Sequence, residues 1–157
     1  GIQSSIIYII IYIIMNLALF SCLLMMKRND EYLEDISDLS GLSKNHPLLS
    51  LSLLIILFSL AGIPPLAGFF AKFYIFKSVI EQSMYFLAIV GLLSTVVAAF
   101  YYLRIIKIIY FDPEIEKYDK DHSPWLKFSL TLSTILIFLY FIFPSQLVEM
   151  VSRINII

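Results

Sequence analysis

The stretch Gly62-Ile63-Pro64-Pro65-Leu66-Ala67-Gly68 decides how this chain folds. It lies in the middle of an apolar segment, residues 47–81, which as one straight helix would be about 50 Å long, against roughly 30 Å of bilayer hydrocarbon. A proline has no amide donor and its ring clashes with the preceding turn, so paired prolines between glycines cannot continue an α-helix. We therefore predict a single crossing made of two half-helices, broken near residues 62–68. Irregular backbone at membrane depth must be buried in protein or line a wet cavity.

The rest of the chain has the composition of a membrane protein. It is 60% hydrophobic and 15% charged, with a mean hydropathy of +0.89, whereas soluble proteins have about 45–50% apolar and 25% charged residues. Most charged residues lie within 27–44 and 104–127. A crossing needs about 20 residues, and we predict an all-α, polytopic transmembrane helix bundle with four crossings. It forms a single domain, 1–157, with helices at about 4–26, 47–81 (broken), 84–110 and 125–143.

Several classes of function are excluded by the composition. The net charge of −1 and a pI near 6.1 provide no basic surface for nucleic acid. Cys22 is the single cysteine, which excludes an internal disulfide and a cysteine-bound cluster. The sequence shows no glycine-rich phosphate loop and no metal-binding pattern. If the chain belongs to a redox enzyme, it carries none of the redox centres.

The charged loops predict the orientation in the membrane. With four crossings, loops 27–46 and 104–127 share one face, which holds eight basic residues against two on the other face. The positive-inside rule places that face in the cytoplasm or the mitochondrial matrix. Arg104 and Lys107 are expected to anchor the third helix there. Apolar residues at helical spacing within 32–39 predict a short amphipathic turn on the membrane surface.

Lys72 is the residue that we expect to carry chemistry. It lies one turn into the second half-helix, near the predicted bilayer midplane. A lysine there costs roughly 2.5–3.5 kcal/mol on insertion scales, so such residues pair, face a cavity or relay protons. Burial disfavours its charged form, whereas carbonyls freed at the break favour it. A proton-transfer role is predicted; the alternative is permanent pairing with a buried carboxylate of a neighbouring chain.

Three further residues are candidates for supporting roles. Lys77 and Glu81 are spaced i, i+4 near the outer end of the same helix, either as a surface pair or as a proton exit route from Lys72. Asn16 lies at the centre of the first helix, where its amide needs a partner. We expect it to hydrogen-bond to another helix; the alternative is that it braces the broken helix or holds a water.

Small residues and histidines have simpler interpretations. Gly91, Ser94 and Ala98 form one stripe of the third helix, which predicts close helix packing. His46 and His122 lie beside the charged loops, and we expect both to be solvated.

The motif around the break resembles a known family. The resemblance is to NADH dehydrogenase subunit 2 of respiratory complex I, and it covers most of residues 1–112. The similar segments are Leu60-Ala61-Gly62-Ile63-Pro64-Pro65-Leu66-Ala67-Gly68-Phe69, Lys72-Phe73-Tyr74-Ile75-Phe76, Met15-Asn16-Leu17, Asn45-His46-Pro47-Leu48-Leu49 and Phe100-Tyr101-Tyr102-Leu103-Arg104.

Comparison with the sister subunits narrows the resemblance. Subunit 4 typically has Glu at the position of Lys72, and subunit 5 typically has Asp at the position of Phe73. The sequence is therefore more similar to subunit 2, and Mrp-type cation/proton antiporters are the nearest rival. Lys77 departs from the family pattern, which is usually apolar there.

The resemblance implies an antiporter-like fold of two inverted five-helix repeats, of which this chain would be the C-terminal portion. Its break would be that of the second repeat, formed by Gly62, Pro64, Pro65 and Gly68, and Lys72 would be the terminal proton-transfer residue. The activity would be that of H⁺-translocating NADH:ubiquinone reductase. This chain would bind no cofactor or metal, because NADH, flavin, iron–sulfur clusters and ubiquinone would be bound by other subunits.

The resemblance also implies partners and a location. The expected partners are other membrane-arm subunits, membrane lipids, and a polypeptide with the first repeat, since the chain is either a fragment or the product of a split gene. The expected location is the mitochondrial inner membrane, with loops 27–46 and 104–127 in the matrix; the alternative is the bacterial plasma membrane. An Mrp-type antiporter subunit and a non-pumping structural subunit remain alternative functions.

Overall fold

The computed structural model describes residues 2–119 and 123–153. A two-stranded hairpin, β1 (Lys27–Arg28) with β2 (Glu31–Tyr32), and a 3-10 turn at Ile36–Leu39 follow the first helix. Within the described residues the α-helices are α1 (Ile2–Met25), α2 (Leu42–Asn45), α3 (Pro47–Ala61), α4 (Ala67–Glu81), α5 (Tyr85–Phe111), α6 (Pro124–Ile142) and α7 (Pro144–Ser152).

The predicted discontinuous helix is confirmed. Residues 62–66 separate α3 from α4, and each half has 15 residues, or about 22 Å of helix, too short to cross roughly 30 Å of hydrocarbon. Gly62 ends α3 in the left-handed conformation, with φ of 81°. The Gly62 amide bonds the Ser59 carbonyl and the Ile63 amide bonds the Phe58 carbonyl, both at 3.0 Å. This pair of bonds is a Schellman motif, for which glycine is favoured because it has no Cβ.

The membrane-crossing helices differ in length. Among the described residues, α1 and α5 are each long and apolar enough to cross a membrane, and α6 with α7 is a third candidate if this pair, bent by 92°, is one span. The remaining predicted crossing, residues 47–81, therefore needs α3 and α4 together. The last predicted helix, 125–143, ends at Ile142, and Pro144 then begins α7, because proline is compatible with the first turn of a helix.

The helices pack around α1 and α3. Helix α1 contacts α6 and α4, and α3 contacts α5. Helices α1 and α3 provide most of the buried side chains, whereas in α5 only Ile106 and Ile109 are buried within the described structure. The apolar surface of α5 is thus available to lipid or to other protein.

The predicted amphipathic turn in the first loop is wrong for its first half. Lys27 pairs with Tyr32 in the hairpin, and only Ile36–Leu39 is helical. Asn29 and Asp30 reverse the chain with φ of 54° and 63°, a conformation that these two residue types tolerate better than most. Because of this reversal, Tyr32 lies in a β-strand and not in the predicted helical turn.

The two charged loops lie on the same side of the helices, as predicted. Arg28 Nη2 donates to the Glu116 carbonyl at 3.0 Å, and Asn45 Nδ2 donates to the Ile115 carbonyl at 2.7 Å. At Gly41 a Cβ would be 2.4 Å from the Glu114 Cα, so the loops touch backbone to backbone there.

Candidate functional site

Lys72 binds a carbonyl that the break exposes. It lies in the second turn of α4, half-buried, and its Nζ donates to the Leu60 carbonyl oxygen at 2.8 Å. The last carbonyls of a helix have no intrahelical partner and carry the negative end of its dipole. The Schellman bonds use the Phe58 and Ser59 carbonyls, so the lysine takes the next one along the chain. The C-terminal end of α3 thus stabilises the ammonium group.

No carboxylate pairs with Lys72 in the part of the chain that the structure describes. The ion pairs seen there include Arg28–Glu116, Lys77–Glu81 and Lys107–Asp112, none of which involves Lys72. A carboxylate partner would be left as an unpaired buried charge when the lysine loses its proton. A carbonyl group is neutral, so it stabilises the ammonium without leaving such a charge. The arrangement therefore suits a lysine that changes protonation state.

Lys72 also lines a cavity of about 200 Å³ between α1, α3, α4 and α5, whose wall has both polar and apolar residues. Hydroxyl-bearing residues of α1 and α5 form part of its wall, and a cavity of this size with polar groups in its wall can hold water. The hydroxyl-bearing residues are Tyr8, Tyr12, Ser94, Thr95 and Tyr102.

The small-residue stripe of α5 has two roles. Gly91 packs against α4 as expected, since a Cβ there would lie 2.9 Å from the Phe76 ring. Ser94 and Ala98 line the Lys72 cavity instead. Small side chains at these positions leave room for that cavity.

Ser59 is a site residue that the sequence analysis missed. Its Oγ accepts the Gly68 amide proton at 3.0 Å and donates to Met15 Sδ at 3.0 Å. The side chain is 0% exposed. The only signal in the sequence is a serine inside an apolar run, three residues before Gly62.

Among the described residues, Asn16 bonds within its own helix rather than at the break. Its Nδ2 donates to the Tyr12 carbonyl at 2.8 Å, and the hydrogen bond to another helix stays a prediction. The rotation of α1 turns the adjacent Met15, which is 3% exposed, toward Ser59 instead. The sequence predicted how far along α1 these residues lie, but it did not predict which side of α1 faces the break.

Lys77 and Glu81 form a surface pair in this structure. Their charged atoms are 3.9 Å apart and both side chains are 61% exposed. This geometry favours the surface-pair interpretation over a proton exit route. At the same end of α4, the Ser4 and Ser78 hydroxyls are joined at 2.7 Å.

His46 is not simply solvated as expected. Its Nε2 accepts the Tyr118 amide proton at 3.0 Å, and the two rings stack with centroids 5.2 Å apart. Tyr118 donates its hydroxyl proton to the Asp38 carbonyl at 2.6 Å. Burial raises the pKa of Tyr118 to about 12, with the Asp38 charge adding to the rise and Arg28 opposing it. His122 lies outside the described residues.

The basic residues expected to anchor α5 differ from one another. Lys107 forms an ion pair with Asp112 just beyond the helix end. Arg104 is exposed, in keeping with a position at the membrane surface.

Comparison with known proteins identifies the family. The family model described as NADH:quinone oxidoreductase/Mrp antiporter, transmembrane, matches residues 1–98. The chain belongs to this family. Residues 1–98 include α1, the break, Lys72 and the first half of α5, so the family match covers the site described above.

Similar proteins agree with this assignment. NADH-quinone oxidoreductase subunit N of Pelagibacter ubique is 81% identical over 100% of this chain and 33% of its own length, and the subunit N of Parvibaculum lavamentivorans is 45% identical over 94% and 31%. Respiratory complex I from Thermus thermophilus with bound aureothin gives a TM-score of 0.79 at 26% identity, over 94% of this chain and 34% of that one. The resemblance to a complex I membrane subunit is confirmed. This chain spans about a third of the length of these relatives.

Proposed function

We propose that this chain forms part of a proton-translocating membrane-arm subunit of NADH:quinone oxidoreductase and supplies its terminal proton-transfer lysine, Lys72. One observation carries the proposal: the Lys72 ammonium binds the Leu60 carbonyl at the helix break and lines a cavity with hydroxyl-bearing residues in its wall. Proton transfer needs a group that is stable in both charge states and that water can reach. The carbonyl stabilises the charged form, and the cavity gives access to water.

The chemical step follows from this geometry. The protonated lysine is held by the C-terminal dipole of α3. When a neighbouring charge changes state, the ammonium gives a proton to water in the cavity and becomes a neutral amine. The neutral amine no longer gains from the dipole, and a proton arriving from the other side restores the ammonium and its bond to Leu60.

Redox chemistry belongs elsewhere in the assembly under this proposal. The chain itself binds no cofactor, while NADH, flavin, iron–sulfur clusters and quinone are bound by other subunits. Its partners are other membrane-arm subunits, lipids, and the remainder of the antiporter-like fold, whether in the same polypeptide or in a separate one. The relatives named above are bacterial, which favours the plasma membrane over the mitochondrial inner membrane.

The main alternative is an Mrp-type antiporter that exchanges Na⁺ or K⁺ for protons, because the matching family model includes both groups. The relatives named NADH-quinone oxidoreductase subunit N favour complex I. Proton movement that requires NADH and quinone supports the proposal, and movement driven by a cation gradient alone supports the antiporter.

The test compares Lys72→Ala with Lys77→Ala in the complete complex, reconstituted in sealed vesicles. Both variants remove one lysine from α4, but Lys77 is exposed and paired with Glu81 at the outer end of the helix. We expect Lys72→Ala to lower the number of protons moved per NADH oxidised while assembly persists, and Lys77→Ala to leave that number unchanged. Full pumping by Lys72→Ala would leave only a structural role for this subunit.

A further inference from the structure

The second half-helix has no capping side chain of its own. Its N-cap residue is Leu66, which makes no side-chain cap hydrogen bond. The first amide groups of a helix need acceptors, usually an N-cap Ser, Thr, Asp or Asn that binds the amide of the second or third helical residue. Gly68 is that second residue. The acceptor for its amide therefore has to come from another segment.

Ser59 supplies this cap from the preceding half-helix. Its Oγ lies 3.0 Å from the Gly68 amide nitrogen, which is the bond that an N-cap serine makes locally. Bulk water does not reach this bond, because Ser59 is 0% exposed. The hydroxyl proton is directed to Met15 Sδ, which leaves the oxygen lone pairs for the Gly68 amide.

The cap works only because the two half-helices are in backbone contact. A Cβ on Gly68 would lie 1.8 Å from the Ser59 carbonyl oxygen. At that separation the position of α4 relative to α3 is fixed by Ser59 and Gly68 directly, with no side chain between the backbones.

The contact between Lys72 and Leu60 lies beside the Ser59–Gly68 contact, between the same two helices, α3 and α4. Leu60 follows Ser59 in α3, and Lys72 lies one turn after Gly68 in α4. The Ser59–Gly68 bond therefore sets where Lys72 stands relative to the Leu60 carbonyl, 2.8 Å from its Nζ. Lys72 binds the backbone carbonyl of Leu60, so the Leu60 side chain takes no part in this hydrogen bond.

We propose that Ser59 is the positioning residue of Lys72: by capping α4 from α3, its hydroxyl holds the lysine ammonium on the Leu60 carbonyl. This inference rests on the proposed proton-transfer role of Lys72. It assigns to Ser59 a role in the coupling of proton movement rather than in assembly alone.

The experiment uses the complete complex in sealed vesicles and measures protons moved per NADH oxidised, assembled complex, and NADH:quinone turnover. The variants are Ser59→Ala, Lys72→Ala and the double variant. We expect Ser59→Ala to lower the proton ratio toward that of Lys72→Ala at preserved turnover. In the double variant the loss should equal that of Lys72→Ala alone, because Ser59 acts through the lysine.

Two controls separate positioning from packing. Ser50→Ala removes another 0%-exposed hydroxyl of α3, one that donates to the His46 carbonyl at the far end of the helix, and should leave the proton ratio unchanged. Met15→Leu removes the acceptor of the hydroxyl proton but keeps the Ser59–Gly68 bond, and its effect should be small. A general packing defect would lower assembly in Ser50→Ala as well.

Each outcome decides something. A normal proton ratio in Ser59→Ala, with Lys72→Ala defective, overturns the role of Ser59 and leaves that of Lys72 intact. Normal ratios in both variants overturn the proposed function itself. If Ser59→Ala does not assemble, Ser59→Cys replaces it, because a thiol is a weaker donor and acceptor of similar size. A proton ratio between those of the unmodified complex and Lys72→Ala supports the proposal. A ratio equal to that of the unmodified complex contradicts it.

Discussion

Gly62 leaves open the space that the Lys72 side chain occupies. A Cβ on Gly62 would be 3.1 Å from the Lys72 Cδ and 3.3 Å from its Nζ. The same glycine ends α3 in the left-handed conformation. Gly62 therefore ends the first half-helix and also leaves space for Lys72 to reach the Leu60 carbonyl, which is exposed at that helix end.

Replacement of Gly62 by Ala should disturb the backbone and the lysine together. A residue with a Cβ in the left-handed conformation costs about 1–2 kcal/mol, and here the new methyl group also presses on Lys72. We expect Gly62→Ala to lower protons moved per NADH and to speed thermal inactivation of pumping in vesicles. Gly91→Ala is the matched control, since its new Cβ meets the Phe76 ring, which can move. Equal losses in both variants would contradict the specific role of Gly62.

The charge state of Lys72 can be tested by Lys72→Arg. Arginine can still donate to the Leu60 carbonyl, so we expect the complex to assemble and NADH oxidation to remain measurable. Arginine stays protonated under ordinary conditions and has a bulkier planar head, so proton pumping should fall nearly as far as in Lys72→Ala. The measurement is proton movement per NADH in sealed vesicles. Full pumping by the arginine variant would show that the residue need not release its proton.

The pair at the outer end of α4 should be dispensable. Lys77 and Glu81 are exposed and 3.9 Å apart, and such surface pairs contribute about 0–1 kcal/mol. We expect Lys77→Ala and Glu81→Gln each to leave proton pumping and complex stability unchanged. The assays are the proton ratio and the thermal inactivation rate. A pumping defect in both single variants would restore this pair as an exit route.

Tyr118 should make the contact between the inner loops sensitive to alkali. Its pKa is raised to about 12 from an ordinary 10, so above pH 10 the unfolded loop releases this proton while the folded loop retains it. The stability of the contact is thus complete below pH 10 and falls as the pH rises toward 12. We expect subtilisin cleavage within residues 112–119, in open membranes, to increase over that interval.

Two variants check the assignment to Tyr118. Tyr118→Phe loses the hydrogen bond to Asp38, about 1 kcal/mol, so cleavage should be faster already at neutral pH and the alkaline increase should shrink. Tyr32→Phe changes an exposed tyrosine of the facing loop and should behave like the unmodified protein. An alkaline increase of full size in Tyr118→Phe would assign the effect to another group.

The sequence was sufficient for the features that depend on local chemistry. The break at 62–68 follows from two prolines and two glycines, since these residues alter the backbone wherever they stand. The long apolar helices follow from uncharged runs, because hydropathy is a sum along the chain. Lys72 was recognisable because a lysine at membrane depth is costly in any fold.

The tertiary structure decided which polar groups meet. Met15 rather than Asn16 faces the break, Ser59 rather than Leu66 caps α4, and His46 binds Tyr118 across the two inner loops. None of these pairs follows from spacing, because each depends on helix rotation and on close approach of segments distant in sequence.

The difference has a physical origin. Hydropathy and backbone restrictions belong to single residues or short runs, so the amino-acid sequence by itself fixed the membrane class, the broken helix and the lysine. A hydrogen bond requires two atoms within about 3 Å at a suitable angle, and small rotations of packed helices exchange one partner for another. The carbonyl that holds Lys72, and the serine that sets its position, were therefore decided by tertiary packing alone.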